Sequence, residues 1–454
     1  FFSVNVKWGK QKYSDIDVST DEPPEVFKLQ IFSLTNVQPE RQKVMLKGTT
    51  IKDDWGDLKI KNMNLLTGLD NLGNTCYMNA TVQLLKSVPE LDKSLQRYVN
   101  YLRRGSTGGI DESVTTGFAN LIQNMKSGSQ ASIKPFLFLQ LIYMRFPHFA
   151  EKTEHGVPMQ QDANEFLTEL LRICQQNLKP ITNDTEQEMA TAATNKQRSN
   201  FIDQYFGIDY DVELQCLDEE AKDEAVSKSS ETSLQLNCFI SQEVKYMLTG
   251  IKSKLKEELT KRSPTLDRDA KYCKTSQIKR LPAYLCVQMV RFFYKEKGGV
   301  NAKILKDVKF PMSFDAYELC SPELQKRLQP VRDRFEAEEE AKAEAQIAGK
   351  LAGKKDENIE YERFDFEDDI GANNSGHYEL QGVLTHRGRS SSSGHYVSWI
   401  RRDRDEWMKC DDDNVTPVTL EEVLKLSGGG DWHIAYVLLY GPRRLEKKST
   451  TPAT

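Results

Sequence analysis

The sequence lacks any paired cysteine motif. Its eight cysteines are scattered and no two form a C-x-x-C pair; they lie at positions 76, 174, 216, 238, 273, 286, 320 and 410. Scattered cysteines argue against a disulfide framework and against a zinc site built from four cysteines. We therefore expect no metal and no cofactor, and a reducing compartment, the cytosol or the nucleus.

The sequence also lacks an excess of positive charge and long apolar runs. The formal net charge is −5, so there is no overall basic field of the kind that attracts nucleic acid. No apolar run approaches the roughly 18–20 residues of a membrane-spanning helix. Both absences argue against a nucleic-acid-binding protein and against an integral membrane segment.

Apolar residues are scarce in residues 321–369, which are rich in Ala, Glu and Lys. A segment of this composition is either a solvated helix or a disordered insertion, and we expect it to contribute nothing to the core. The residues that follow Arg444 are polar and terminal, so we predict that 444–454 form a disordered tail.

Residues 1–66 show the order of elements of a small separate domain. Residues 3–18 alternate as a β-hairpin, residues 21–37 form a helical pattern, and a strand follows at 42–48. The order hairpin, helix, strand, turn-rich segment and strand is that of a β-grasp domain and resembles a ubiquitin-like domain. Met45 then lies either in a hydrophobic patch that binds partners or, as an ordinary strand residue, in the core. No di-glycine tail follows, so a recognition domain is expected and not a conjugated modifier.

Residues 67–89 form a Gly- and Asn-rich loop that runs into an amphipathic helix. Apolar residues recur at i, i+3, i+4 and i+7 from Tyr77 onward, which is one helical face. Asn74 and Thr75 are typical N-cap residues, so Cys76 is predicted to lie in the first turn, where the helix dipole generally favours a thiolate. A single cysteine in such a place is more often a buried structural residue than a nucleophile.

A cysteine nucleophile needs a base, and the base needs a group that orients it. His377 and His395 both lie in an S-G-H-Y tetrapeptide, so this motif alone does not distinguish them. His395 is followed by the predicted strand V-S-W and, sixteen residues later, by Asp411. A hairpin of that length brings the two side chains together, whereas no comparable acid follows His377. We therefore predict that His395 and Asp411 form the pair that activates Cys76.

The remaining patterns change near residue 200. Helical patterns dominate before it, including an apolar one at 135–149 and one that starts at Asp162, which has capping-box spacing to Glu165. Short alternating runs dominate residues 201–443 and predict a large antiparallel or mixed sheet. The expected fold class is therefore α+β.

Motifs within residues 67–443 resemble those of one enzyme family. The runs G-L-D-N-L-G-N-T-C-Y-M-N-A around Cys76, Q-Q-D-A-N-E-F at 160–166 and G-H-Y-V-S-W around His395 resemble the cysteine, second and histidine boxes of the ubiquitin-specific proteases, in family order. The resemblance implies a papain-like cysteine protease domain with thumb, palm and fingers over 67–443, behind a β-grasp ubiquitin-like domain over 1–66.

The same resemblance implies the catalytic roles of a deubiquitinating thiol protease, a ubiquitinyl hydrolase. Cys76 would attack the carbonyl of the C-terminal glycine of ubiquitin, and Asn71 would donate its side-chain amide to the oxyanion. His395 would take and return the proton, Asp411 would orient His395, and Asp412 would assist.

Further positions take their expected roles from the family. Asp162 and Tyr396 would line the groove for the tail of ubiquitin, although Asp162 also fits a plain helix cap, and both roles are compatible. Cys410 stands where the family usually has an apolar residue, and we expect a change in packing there, not a second nucleophile. The paired cysteines that hold zinc in many family members are missing.

The resemblance is greatest to the proteasome-associated branch of the family. It implies ubiquitin and polyubiquitinated proteins as substrates, and the regulatory particle of the 26S proteasome as a partner of the ubiquitin-like domain. Residues 292–304 and 387–394 would cover the tail groove and autoinhibit the free enzyme. Ser392 completes a basophilic kinase pattern with Arg387 and Arg389, and phosphate at this place would shift the second segment.

Two alternative functions also have to be compared with the sequence. A non-catalytic ubiquitin-binding regulator of the proteasome would have a broken set of catalytic residues, whereas Cys76, His395, Asp411 and Asn71 are all present. A thiol acyltransferase, or a protease of unrelated substrates, would leave the ubiquitin-like domain and the second box unexplained.

Overall fold

The computed structural model describes most of the chain. The described residues are 2–8, 11–18, 22–46, 49–51, 66–102, 108–127, 130–182, 198–221, 224–295, 300–347, 360–390, 393–403 and 406–447. Contacts between Cα atoms divide the chain into two compact units, Phe1–Leu65 and Leu66–Thr454.

The first unit contains a hairpin, a helix and two short strands. They are β1 (Phe2–Trp8), β2 (Gln11–Val18), α1 (Pro24–Thr35), a 3₁₀ turn (Pro39–Arg41), β3 (Met45–Leu46) and β4 (Thr49–Thr50). The helix ends where Asn36 takes a left-handed conformation and its backbone N–H donates to the carbonyl oxygen of Phe32. Its core is formed by Ile16, Val18, Phe27, Ile31 and Ile51.

This order agrees with the predicted hairpin, helix and strand. Met45 is 58% exposed, so of its two predicted places the surface is the one observed. The final strand expected before residue 66 falls within 52–65, outside the described residues.

The second unit begins with helices and ends with strands. Its helices are α2 (Cys76–Lys86), α3 (Pro89–Leu102), α4 (Ile110–Lys126), α5 (Phe136–Arg145), α6 (Ala163–Asn177), α7 (Phe201–Phe206), α8 (Met247–Leu255), α9 (Pro322–Ile347) and α10 (Leu420–Leu424). Short 3₁₀ helices span Pro147–Ala150, Glu219–Ala221, Tyr317–Leu319 and Lys425–Ser427. None of the described helices combines the length and the apolar composition needed to cross a membrane.

The strands of the second unit are numbered on from the first. They are β5 (Gly68–Leu69), β6 (Ser132–Ile133), β7 (Ile208–Cys216), β8 (Ser227–Ser233), β9 (Gln235–Phe239), β10 (Lys256–Arg262), β11 (Asp269–Arg280), β12 (Leu285–Val290), β13 (Phe292–Lys295), β14 (Val300–Lys303), β15 (Ser313–Asp315), β16 (His377–Ser390), β17 (Ser393–Asp403), β18 (Glu406–Asp411), β19 (Asn414–Val418) and β20 (Ile434–Pro442).

One large mixed sheet supports the C-terminal half of the unit, as predicted. Its strand order is β19-β18-β17-β16-β20-β12-β9, with β15 paired to β16, and among the described strands of this sheet only the β12–β9 pair is parallel. The central strand β20 is buried along its whole length. Its nine residues, I-A-Y-V-L-L-Y-G-P, are nearly all apolar, as expected for a strand covered on both faces.

A second, four-stranded sheet has the order β10-β11-β7-β8. Its outer strand β8 has the sequence S-K-S-S-E-T-S and was not predicted, because it has no apolar alternation to mark it. It pairs with β7 through backbone hydrogen bonds, and the side chains that face outward are exposed.

Helix α2 lies between the large sheet and the other helices. Every residue from Cys76 to Leu85 is buried, on both the apolar and the polar faces. On the helical side Tyr77 stacks on Phe149 and meets the edge of Phe166. The first residue of this helix is therefore held by the core on all sides.

The expectation that 321–369 contributes nothing to the core is wrong. Leu324 and Leu328, in the first half of α9, are buried in the core of the large sheet, and Phe335 is buried about two turns later. The three lie at i, i+4 and i+11, which is one face of a helix. At the far end of the segment, Asp369 pairs with the buried guanidinium of Arg280.

The predicted tail is also ordered at its start. The side chain of Leu445 is buried, Glu446 forms a β-bridge with Tyr361, and the N–H of Lys447 donates to the carbonyl of Glu360. The prediction of a disordered tail from 444 is wrong for 444–447, because the apolar side chain of Leu445 and backbone pairing with residues 360–361 anchor it. Residues 448–454 lie outside the described residues.

The burial in α9 leads to a stability prediction. Replacing Leu328 with Ala should lower the free energy of unfolding by about 2–5 kcal/mol, because it leaves a cavity under the sheet. Lys326→Ala, at an exposed position of the same helix, should change it by less than about 0.5 kcal/mol. Urea unfolding followed by tryptophan fluorescence measures both. Equal effects of the two substitutions would mean that α9 does not belong to the core.

Candidate active site

The candidate nucleophile is the first residue of α2. The loop before it turns sharply, with positive φ at Gly73 (106°) and Asn74 (53°). Oδ1 of Asn71 accepts from the backbone N–H groups of Gly73 (3.0 Å) and Thr75 (3.2 Å), which fixes the turn. Thr75 is the N-cap by position, although its hydroxyl accepts from the N–H of Leu72 and not from the helix.

The thiol of Cys76 is enclosed by groups from two distant parts of the chain. The residue is 2% exposed. Nε2 of Gln160 lies 3.3 Å from Sγ, and the backbone N–H of Tyr396 donates to Sγ at 3.5 Å. Gln160 was not singled out from the sequence, although it stands two residues before Asp162 in the second box. Its contact places the second box directly at the thiol.

His395 and Asp411 come together as predicted, across the β17–β18 hairpin. Nε2 of His395 lies 2.6 Å from Oδ1 of Asp411, and Oδ2 of Asp411 accepts from Nζ of Lys409 at 2.7 Å. The hydrogen bond with Asp411, and after it the one with Cys76, raises the pKa of His395 to about 10. The same contact with His395 holds the pKa of Asp411 well below its usual range.

The geometry of the His395 ring shows which of its nitrogens exchanges a proton with the thiol. Because Nε2 of His395 is engaged by Asp411, Nδ1 is the nitrogen that remains for the thiol of Cys76. A carboxylate behind the ring stabilises the imidazolium form. The ring can therefore take a proton from the thiol and later give it to a leaving group.

His377, the other histidine in an S-G-H-Y sequence, is far from this place. It begins β16, whereas His395 pairs with Arg387 ten residues further along that strand, a separation of about 33 Å at the strand rise. Nδ1 of His377 faces Asp315 at 3.9 Å, and burial lowers its pKa. The structure brings His395 to Cys76 and leaves His377 on another part of the sheet.

Asn71 is exposed beside the thiol loop and bonded to the acid turn. Its Nδ2 donates to Oδ2 of Asp412 at 2.9 Å, and Nδ2 of Asn79 donates to Oδ1 of the same carboxylate at 2.9 Å. Burial raises the pKa of Asp412, and the two amides oppose this effect. Asp412 thus supports Asn71, while its neighbour Asp411 holds His395.

Asp162 and Tyr396 lie close to groups that contact the thiol: Asp162 follows Gln160 by two residues, and the backbone N–H of Tyr396 donates to Sγ. Asp162 is the N-cap of α6: its Oδ1 accepts from the N–H groups of Asn164 and Glu165, and its Oδ2 accepts from the hydroxyl of Tyr436 at 2.8 Å. Burial raises its pKa. Tyr396 is buried, and its ring lies 6.2 Å from that of Tyr436 between centroids.

Within the described part of the chain, His395, Asp411 and Asp412 are the residues grouped closely enough to bind a metal ion. Their donor atoms are already used. His395 and Asp411 bond each other, Lys409 bonds Asp411, and two amides bond Asp412. Since a cation would displace Lys409 and both amides, the group is organised as a hydrogen-bond network and not as a metal site.

Cys410 is buried in the core beside this network. Burial raises the pKa of its thiol to about 12. A protonated, enclosed thiol is a poor nucleophile, which agrees with the packing role expected for it.

Two hairpins border the site. The strands β13 and β14 form one, and the ends of β16 and β17 form the other. Buried Lys303 of β14 donates to the carbonyl of His386 at 2.6 Å, and burial lowers its pKa to about 7. Arg389 pairs with Asp431 at 2.8 Å. The predicted regulatory residue Ser392 lies outside the described residues.

Comparison with known proteins agrees with this geometry. Residues 67–440 match the family described as Ubiquitin carboxyl-terminal hydrolase. The chain is 39% identical to ubiquitin carboxyl-terminal hydrolase 14 of Caenorhabditis elegans, with 99% of this chain and 95% of the relative aligned.

Two further relatives cover a similar extent. Ubiquitin carboxyl-terminal hydrolase 6 of Arabidopsis thaliana is 35% identical, over 97% of this chain and 99% of the relative. Ubiquitin carboxyl-terminal hydrolase 6 of Schizosaccharomyces pombe is 36% identical, over 96% and 98%. The resemblance seen in the motifs is confirmed: the chain belongs to the ubiquitin carboxyl-terminal hydrolase family and is a cysteine peptidase.

Proposed function

We propose that this protein hydrolyses the isopeptide bond between the C-terminal glycine of ubiquitin and a lysine of a modified protein, through a thioester on Cys76. The observation that carries the proposal is the constellation at the N-terminus of α2. The backbone N–H of Tyr396, the residue after His395, donates to the thiol at 3.5 Å, and Nε2 of the His395 ring lies 2.6 Å from Oδ1 of Asp411. The nucleophile, the base and the acid that orients the base thus lie next to one another in that order.

In the first step, Nδ1 of His395 holds the proton taken from the thiol, and Sγ of Cys76 attacks the glycine carbonyl as a thiolate. Negative charge develops on the carbonyl oxygen. Asn71 is exposed beside the thiol and uses only one of its two amide hydrogens on Asp412. The second hydrogen and the unpaired N–H groups of the first helical turn can stabilise the oxyanion.

The tetrahedral intermediate then collapses to the thioester. The carbon–nitrogen bond breaks, and the proton on His395 goes to the leaving lysine amine. Water next attacks the thioester, with His395 acting as base again, and the thiol of Cys76 is released together with the free carboxylate of ubiquitin.

A cavity along α6, the helix that begins after Asp162, suits an extended peptide. A cavity of about 550 Å³ lies between α6 and the strands β8, β9 and β12. Among its lining residues, Oδ1 of Asn164 and Nε2 of Gln235 are buried without a partner in the described part of the chain. An unpaired acceptor and an unpaired donor match the N–H and C=O of a peptide backbone. Asp162 and Tyr396 would then guide the tail from this cavity to Cys76.

We also propose where the protein acts and what it binds there. The first unit would act as a ubiquitin-like domain that tethers the enzyme to the regulatory particle of the 26S proteasome, with exposed Met45 in its contact patch. The protein would trim ubiquitin from substrates there and so regulate their degradation. All eight cysteines are free thiols, which suits the cytosol or the nucleus.

The two bordering hairpins would provide autoinhibition. Buried Lys303 and the Arg389–Asp431 pair hold them near the site, so basal activity is low until the proteasome displaces them. Phosphorylation of Ser392 would add charge in one hairpin and weaken its closure.

The first prediction concerns the nucleophile. Ubiquitin that carries a C-terminal electrophile should form a covalent adduct with Cys76, more rapidly with the 26S proteasome than without it. Mass spectrometry of the adduct identifies the labelled residue, and Cys76→Ala is the control. If no adduct forms even with proteasome present, the protein is a ubiquitin-binding regulator and not an enzyme.

The second prediction concerns the base. His395→Ala should lower kcat for a ubiquitin C-terminal fluorogenic amide by about 10³-fold or more, since the thiol loses its proton acceptor. His377→Ala removes the other histidine of an S-G-H-Y sequence and should leave kcat within about twofold of wild type. Hydrolysis retained in His395→Ala but lost in His377→Ala would reverse the assignment.

The third prediction concerns Asp411. Because its carboxylate is the main cause of the raised pKa of His395, Asp411→Asn should lower that pKa. The alkaline limb of the pH profile of kcat/KM, where the imidazolium is lost, should move to lower pH. Asp368→Asn, an exposed ion-pair partner of Arg327, should leave the profile in place. An unmoved alkaline limb in Asp411→Asn would contradict the role of Asp411.

A further inference from the structure

Asn79 has no part in the steps above, yet it joins three of the segments around the site. It lies three residues after Cys76 in α2 and is 2% exposed. Its Nδ2 donates to the carbonyl oxygens of Leu69 (3.1 Å) and Asp70 (3.3 Å) and to Oδ1 of Asp412 (2.9 Å). One amide therefore connects the helix of the nucleophile to the loop of Asn71 and to the acid turn.

The surroundings determine how this amide is oriented. All three partners of Nδ2 are oxygen acceptors, so the reversed amide would place oxygen against oxygen. Oδ1 of Asn79 is buried and has no hydrogen-bond partner among the described residues. A buried unpaired acceptor is costly, so the value of asparagine at this position lies in its donor group.

Asp412 transmits this constraint to the site. Its Oδ2 accepts from Nδ2 of Asn71, and its backbone carbonyl accepts from the N–H of Leu69, both at 2.9 Å. Its φ is +54°, a left-handed conformation that needs support in a residue with a side chain. A Cβ on Gly68 would lie 2.4 Å from the carbonyl oxygen of Asp413, so the loop and the turn pack backbone against backbone.

We propose that Asn79 is a positioning residue for the reaction: it holds Asp412, and through Asp412 it holds the amide of Asn71 where that amide meets the oxyanion. The inference rests on the proposed function. Because Asn79 is buried behind the loop and does not touch substrate, its loss should affect kcat and not KM.

The test compares Asn79→Ala and Asn79→Asp in the full chain, with the 26S proteasome present, on a ubiquitin C-terminal fluorogenic amide. Directly removing an oxyanion donor lowers kcat by about 10²–10³-fold. Loss of its support should therefore lower kcat by about 10–100-fold and leave KM within about twofold. An unchanged kcat, or a raised KM alone, would overturn the proposal.

Asn177 provides a matched control. Its side-chain amide also donates from a helix, to Oγ1 of Thr115 at 2.9 Å. It lies at the other end of α6 from Asp162, about 22 Å away at the helical rise. Asn177→Ala and Asn177→Asp should keep the wild-type kcat, and an equal loss in both pairs would mark the effect as general destabilisation.

A pH profile separates positioning from a structural role. Asn79→Asp places a second carboxyl against Asp412, with Asp411, His395, Asp70 and Cys76 as the other titratable groups nearby. Two close carboxyls share a proton, and the protonated new carboxyl can donate as the amide did. The ratio of kcat for Asn79→Asp to kcat for the wild-type protein should rise as the pH falls from 8 to 5.5.

The ratio for Asn79→Ala should stay flat over the same range. Thermal melting reports whether each variant folds. If Asn79→Ala does not fold, the pH dependence of kcat for Asn79→Asp relative to wild type decides the test. A flat ratio for Asn79→Asp contradicts the proposal.

Failure of the proposed function and failure of the role of Asn79 give different experimental results. A wild-type chain that never forms the ubiquitin adduct defeats the proposed function. A wild-type chain that forms it, with Asn79 variants that keep full kcat, defeats only the inference about Asn79.

Discussion

The complete burial of α2 is the constraint on which the site depends. Its residues from Cys76 to Leu85 are enclosed by the large sheet on one side and by the other helices on the opposite side. A packed helix cannot slide or rotate without opening cavities. The thiol therefore has one position, and changes in activity have to come from the groups around it. Those groups are the polar contacts of Asn71, Gln160 and His395, which lie on loops and strand ends.

The parts of the site that depend on local patterns were predictable from the sequence. The helical periodicity after residue 76 placed the thiol at a helix start, and a separation of sixteen positions between His395 and Asp411 suits a hairpin. The order of helices before residue 200 and strands after it also follows from local periodicity. The choice of His395 over His377 used the same logic, and the 2.6 Å contact with Asp411 agrees with it.

The parts that depend on tertiary packing were not predictable. The contact of Gln160 with the thiol spans 84 positions, and the bond of Asn79 to Asp412 spans 333. A polar residue inside the helix that starts at Cys76 was a signal that Asn79 makes buried hydrogen bonds. No local pattern, however, could identify the partners of Asn79. In α9, the many charged residues concealed three apolar ones on a single face, and β8 carries no apolar pattern at all.

The central place of β20 has a consequence for biosynthesis. This strand, at residues 434–442, lies between β16 and β12, so the large sheet is interrupted until those residues are made. The backbone N–H that contacts the thiol comes 320 positions after it. Because domains fold as units, a ribosome-bound chain holds Cys76 without its histidine strand in place. Such a nascent chain cannot cleave ubiquitin, and chains truncated before β20 would carry an unprotected, inactive thiol.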